Sequence, residues 1–249
     1  MNVFLIVCPL VFLAGFVDAI GGGGGLISLP AYLIAGLPAH QAIATNKLSS
    51  ACGTALTTAR FARQKLIIWQ LAVPAIAAAL AGSWTGAHLS LLTDPAVLIK
   101  ILYVILPVTA VIVLKKGVLR DSADPVGMNL RTGILTAVIS FVIGMYDGFY
   151  GPGTGTFLIL AFSLFAKMDI HAANGLTKAV NLTTNVTSLL VYLHGGQVVI
   201  RLGLAAAVCN MAGNWLGSGM AVRSGTRITR PVILIVLGLL FVRLLQQAA

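Results

Sequence analysis

The sequence contains no glutamate, and charged residues of all kinds make up only 9% of it. Soluble domains carry about a quarter, so an ordinary water-facing surface is excluded. Cysteine is scarce as well. Cys8, Cys52 and Cys209 lie in apolar stretches without metal-ligand spacing, which excludes a disulfide framework or zinc module and leaves them as small packing residues. No Ser/His/Asp, paired-carboxylate or metal-ligand constellation is present, so the chain does not read as an enzyme, and no metal or cofactor is implied. A net charge of +10 would suggest nucleic acid in a soluble protein. Here there is neither a basic fold nor an aromatic platform, and the cations sit in short loops between apolar runs, as in cytoplasmic loops of membrane proteins.

What is abundant is apolar sequence: 58% of 249 residues are hydrophobic and the mean hydropathy is +0.99. Runs of about 20 apolar residues recur along the whole length, without the polar/apolar alternation of a membrane β-barrel. The expectation is an all-α polytopic membrane protein, multi-pass, with the lipid bilayer as its surroundings. Apolar segments fall at 3–20, 24–37, 41–62, 67–91, 96–114, 132–149, 155–166, 170–193, 202–222 and 228–245. The N-terminal run has no preceding Lys or Arg and carries Asp18 where a cleavage site would stand, so it reads as a retained segment rather than a signal peptide.

Two glycine-rich breaks organise the chain: Gly21 to Gly25, and Gly151-Pro152-Gly153-Thr154-Gly155. Such runs make poor helix and poor strand. They belong to two similar halves. Ala81-Gly82-Ser83-Trp84-Thr85-Gly86 recurs as Ala212-Gly213-Asn214-Trp215-Leu216-Gly217, and the same offset pairs His40 with His171 and Lys47 with Lys178. The offset from Asp18 to Asp147 is shorter by two, so the second half holds two extra residues near its glycine loop. The expected organisation is a first repeat over 1–114, a cytoplasmic linker over 115–131 and a second repeat over 132–249.

Each repeat begins with a helix pair that is either one glycine-broken span or a re-entrant hairpin. Hairpins give three crossings per half and inverted repeats; broken spans give four and parallel repeats. With hairpins, eleven loop cations fall on one side of the membrane and three on the other; with broken spans the split is nine to five. The positive-inside rule favours hairpins and inverted repeats.

Polar residues at membrane depth mark the candidate site. Lys47, Ser50, Thr54 and Thr57 share one helix face, and Lys178, Asn181, Asn185 and Ser188 repeat that spacing. Asn46 and Thr177 each precede their lysine. Ser, Thr and Asn in membrane helices commonly bond neighbouring helices, but an intramembrane lysine is a functional candidate by default, with snorkelling to the interface as its bland alternative. Asp18 and Asp147 read as a lysine partner, a cap on half-helix amides, or a proton-taking carboxyl. Helices starting after Gly24 and Gly25, and after Gly153, Thr154 and Gly155, would aim free N–H groups and a positive dipole end at the loop, which suits a small oxyanion. The run lacks Gly-Lys-Ser/Thr and a parallel-sheet context, so it is neither a Walker loop nor a dinucleotide fingerprint. The pairs Gly82/Gly86 and Gly213/Gly217 indicate close helix packing within the subunit or across a homodimer. Trp84 and Trp215, being mid-helix, are expected to pack inward. His40 and His171, after each hairpin, read as capping or interface residues.

Two motif pairs, Gly21–Gly25 with Leu26-Ile27-Ser28-Leu29-Pro30 and Thr45-Asn46-Lys47-Leu48-Ser49-Ser50, and Asp147-Gly148-Phe149-Tyr150-Gly151-Pro152-Gly153-Thr154-Gly155 with Thr177-Lys178-Ala179-Val180-Asn181-Leu182, resemble the sulfite exporter TauE/SafE family, also called toluene sulfonate uptake permeases, over essentially the whole chain. The resemblance implies transport of a sulfur oxyanion, sulfite or an organosulfonate such as sulfoacetate, across the bacterial inner membrane. Alternating access is the mechanism expected; the inside-negative potential would by itself drive anion export, whereas import would need proton or cation coupling, for which Asp18 and Asp147 are the candidates. An anion channel, or a transporter for another small anion, is the alternative.

Overall fold

The computed structural model describes residues 3–94 and 129–224, with Arg227, Ile228, Pro231, Val232 and Ile235 beyond them. The segment expected at 96–114, most of the one at 228–245 and most of the linker lie outside the described residues.

Among the described residues all regular structure is helical, in the order α1 (Val3–Gly21), α2 (Gly25–Ile34), α3 (Ala39–Arg63), α4 (Trp69–Leu92), α5 (Leu130–Phe149), α6 (Thr154–Phe165), α7 (Ile170–His194) and α8 (Ile200–Ser224). The ends follow local chemistry. Asn129 caps α5 by accepting from the Thr132 N–H, and Asp169 caps α7 by accepting from those of His171 and Ala172. The glycine breaks end α1 and α5. Gly22 and Gly151 hold φ of +75° and +96°, a left-handed backbone that strains any residue with a Cβ.

Among the described residues three helices, α1, α4 and α5, are long and apolar enough to cross a membrane. The helices after the breaks, α2 with 10 residues and α6 with 12, are too short: at about 1.5 Å per residue they cover little more than half of a hydrocarbon core of about 30 Å. After Gly21 the chain turns back along α1. A Cβ on Gly24 would run into the Ala14 carbonyl and Asp18, and Leu29 and Tyr32 of α2 share a cluster with Val7 and Val11 of α1.

The distribution of polarity is that of a body immersed in lipid. Lys47, Lys178, Asn181, Asn185, Asn210 and Asn214 are buried, whereas Leu5, Val73, Leu130, Leu190, Val208 and Leu92 are more than half exposed. In water that arrangement would be strongly unfavourable.

The most extensive packing joins α4 to α5 and α1 to α8, and glycines make it close. A Cβ on Gly82 would strike the Phe141 carbonyl and one on Gly86 that of Met145; a Cβ on Gly213 would strike the Phe12 carbonyl and one on Gly217 that of Phe16. The paired glycines are thus used within the subunit. The contacts also repeat with the sequence: each pair in the first set maps onto the second at the two offsets that relate the halves. Among the described residues, α4 thus packs on α5 in the way that α8 packs on α1.

Candidate functional site

The two glycine breaks meet at the centre of this packing. The Gly22 carbonyl accepts from the Thr156 N–H at 3.0 Å, and the Thr156 hydroxyl donates to the Gly21 carbonyl at 2.7 Å. Neither contact point tolerates a side chain, because a Cβ on Gly22 would enter the backbone of Gly155 and one on Gly155 that of Gly22. Two more groups of the second half reach the same helix end: the Asn174 amide donates to the Ile20 carbonyl at 3.2 Å, and the Lys178 ammonium to the Asp18 carbonyl at 2.6 Å. The last carbonyls of a helix have no partners within it. A cation there also meets the negative end of the helix dipole.

Lys47 has a different environment. Its ammonium lies 2.8 Å from Asp147 Oδ2, and both side chains are almost fully buried. Asp147 is aimed by Thr154, whose hydroxyl donates to Oδ1 at 2.7 Å. Asp18, the counterpart in the first break, accepts from the Gly24 N–H at 3.3 Å. Asp147 thus stands in an ion pair with Lys47, while Asp18 accepts from the N–H of the residue before α2.

Around these groups is a small cavity lined by Asp18, Gly22, Gly25, Asn46, Lys47, Ser50, Asp147, Gly151, Gly153, Thr154, Gly155, Asn181 and Asn185. Most of the expected residues thus come together from α3, α7 and both breaks. Four do not reach its wall. Lys178 is held by the Asp18 carbonyl, and Gly24 is wedged against α1. Thr54 donates to the Ser50 carbonyl of its own helix at 2.7 Å, and Thr177 is fully buried away from the cavity. Further along the stripes, Thr57 donates to Asn214 of α8 and Ser188 to the Thr184 carbonyl. Of the two stripes, Lys47, Ser50, Asn181 and Asn185 line the cavity, Thr57 ties α3 to α8, and Thr54 and Ser188 bond within their own helices. Gly22 and Gly151 join the site without having been singled out from the sequence, although the offset between them equals that between the two aspartates.

The cavity is narrow: a water-sized sphere can place its centre over about 20 Å³, room for about one water. Its charged lining is one ammonium against two carboxylates, Lys47 against Asp18 and Asp147. Neutral donors, three asparagine amides and two hydroxyls, make up much of the rest. The inward packing expected of the tryptophans is overturned. Trp84 and Trp215 are 52% and 57% exposed and line the outside of α4 and α8, because a lipid exterior is as apolar as the core and gives an aromatic ring no reason to turn in. His40, by contrast, does sit between elements, its ring bonded to the Ser90 carbonyl of α4.

Comparison with known proteins agrees with this architecture. The family model for sulfite exporter TauE/SafE matches residues 7–244. The chain is 34% identical over 238 residues to the probable membrane transporter protein ORF9 of Sinorhizobium sp, covering 95% of this chain and 90% of that one. It is 33% identical over 238 residues to the probable membrane transporter protein YfcA of Escherichia coli (strain K12), covering 95% and 87%. A probable membrane transporter protein of Haemophilus influenzae is 32% identical over 229 residues, covering 90% and 87%. No solved structure matches the chain. A family match across nearly the whole length, with relatives above 30% identity, places the chain in the TauE/SafE family: it is a membrane transporter and not an enzyme.

Proposed function

We propose that this protein is a secondary transporter of the bacterial inner membrane that moves a small sulfur oxyanion, sulfite or an organosulfonate such as sulfoacetate, together with a proton. The observation that carries the reading is the cavity where both glycine breaks converge with Lys47, Asn46, Ser50, Asn181 and Asn185. A charge-assisted bond to one ammonium, amide and hydroxyl donors from two helices, and backbone at the start of α6 together suit three oxygens on one sulfur.

The proton follows from the charges. An anion entering beside two carboxylates meets repulsion of about 4 kcal/mol per close pair even at an effective dielectric constant near 20. Protonating one carboxyl removes one of the two repulsions, so anion and proton bind together. Asp18 is the proton acceptor in this scheme: Asp147 is ion-paired to Lys47 at 2.8 Å, whereas the ammonium beside Asp18, that of Lys178, is bonded to the main-chain carbonyl and not to the carboxylate. A cavity with room for about one water opens to admit a larger ion, which suits alternating access better than a continuous channel.

The topology proposed with it is two inverted repeats with re-entrant hairpins. The short α2 and α6 and the return of the chain along α1 support hairpins. Cysteines placed at Arg60 and Arg227 would then label from the same face, and labelling from opposite faces would overturn the inverted arrangement.

The function is tested by flux of labelled sulfite and sulfoacetate in proteoliposomes under an imposed pH gradient. Saturable uptake that rises with the gradient and disappears in Lys47→Ala is expected. Ohmic conductance without saturation or pH dependence would point instead to an anion channel.

A further inference from the structure

A second cavity of about 330 Å³ opens on the outer surface between the end of α3 and the middle of α8, lined by Leu56, Ala59, Arg60, Arg63, Gln64 and Trp215. It is far from the glycine breaks in kind: its lining carries two guanidinium groups and no carboxylate. Arg60 is fixed in place. Its Nη1 donates to the Trp215 carbonyl at 2.5 Å and to the Ser218 hydroxyl at 2.8 Å, and its guanidinium lies 4.0 Å from the centre of the Trp215 ring. An arginine has five N–H donors, and those on Nε and Nη2 have no protein acceptor among the described residues. Arg63, one helical turn on, is exposed and adds a second cation on the same face.

The cavity continues as an apolar track. Leu204, Val208, Met211 and Trp215 are all exposed, and their spacing places them in one stripe along the outside of α8. A cationic pocket at the end of an apolar strip suits a ligand with a phosphate at one end and a hydrocarbon chain at the other. Duplication does not account for it. The position matching Arg60 in the second half is Val191, which is buried, and Trp84, the match of Trp215, stacks on His88 instead.

We propose that this groove binds an anionic phospholipid, its phosphate held by Arg60 and Arg63 and an acyl chain lying along Trp215 and the α8 stripe. Basic pockets between membrane helices are a recurrent way of holding acidic headgroups, and guanidinium is suited to phosphate by its planar fork. Charge complementarity selects the occupant over a second protein copy, since two such faces would oppose cations to cations. The inference depends on the chain being a membrane protein and not on which anion it carries.

The test uses the full-length protein in mixed micelles, with Trp69→Phe and Trp84→Phe leaving Trp215 as the single fluorophore. Phosphatidylglycerol with brominated acyl chains is expected to quench Trp215 about fivefold more steeply than brominated phosphatidylcholine, the effect of roughly one basic contact. Arg63→Gln, at an exposed position that anchors no helix, should cut that preference, and Arg60→Gln with Arg63→Gln should erase it. Equal quenching by the two lipids in the parent, or a preference retained in the double variant, would overturn the assignment. So would displacement of the brominated phosphatidylglycerol by millimolar inorganic phosphate, which would make the pocket a site for the free ion.

Discussion

Lys47 and Lys178 occupy the same position in the two halves, and both are buried, yet their ammonium groups do different things. Lys47 meets a carboxylate and lines the cavity; Lys178 meets a main-chain carbonyl at the end of α1 and does not. The cause lies in the glycine loops. The second carries Thr154, which turns Asp147 toward Lys47, whereas the first is bare glycine and leaves Asp18 bonded to its own Gly24. Two lysines at matched positions thus sit in different surroundings, one in an ion pair on the cavity wall and one on a fixed helix end.

The sharpest way to break this comparison is to remove each ammonium in turn. Lys47→Ala should abolish anion binding and, by stranding Asp147 in the interior, lower stability by about 3–5 kcal/mol. Lys178→Ala should leave binding within about tenfold of the parent while lowering stability by about 1.5–3 kcal/mol, the range for losing a hydrogen bond from a charged donor; the Asp18 carbonyl keeps the Gly22 N–H. Titration by calorimetry and thermal unfolding in detergent measure both, and equal loss of binding in the two variants would show that the lysines share one task. Lys47→Met combined with Asp147→Asn should regain most of the stability and none of the binding.

The glycine crossing comes next in size. Gly155→Ala should abolish transport and reduce the folded yield, because its Cβ enters the Gly22 backbone. Gly25→Ala, whose Cβ would sit 3.2 Å from the Pro152 Cα, should keep the fold and slow transport only. A functional Gly155→Ala protein would mean that the two breaks separate during the cycle. The aspartates give a smaller, opposite pair of effects. Asp18→Asn should flatten the pH dependence of uptake, whereas Asp147→Asn should tighten anion binding about tenfold, or about 1.4 kcal/mol, by releasing Lys47. Smallest is Thr154→Val, expected to shift affinity by a factor of about five through the loss of one hydrogen bond to a carboxylate; unchanged affinity would remove Thr154 from the account of why the loops differ.

Much of this architecture was legible before the coordinates. Most helix limits fall close to those of the apolar segments, since glycine, proline and polar caps punctuate membrane helices as they do soluble ones. Polar residues at membrane depth located the cavity, because burying them in lipid is unfavourable enough to require a reason. Two things were hidden. Helical spacing puts Lys178 on the face of Asn181 and Asn185, but its partner is set by a carbonyl 160 residues away, and no local pattern encodes that distance. Trp84 and Trp215 were misplaced because an inward preference for aromatic rings belongs to proteins in water. The narrowness of the cavity and its excess of carboxylate over ammonium also depend on the crossing of the two loops, which composition does not express.

That crossing has a consequence for the order in which the chain is made. The carbonyls at the end of α1 receive their partners from Thr156, Asn174 and Lys178, which follow them by 135 to 160 residues. At a synthesis rate of about 5–20 residues per second, roughly 10–30 s pass before those donors leave the ribosome. During that interval the Ile20 and Gly21 carbonyls lack the donors they have in the folded chain, and water is the partner open to them. The end of α1 is therefore completed only after α6 and α7 have been made.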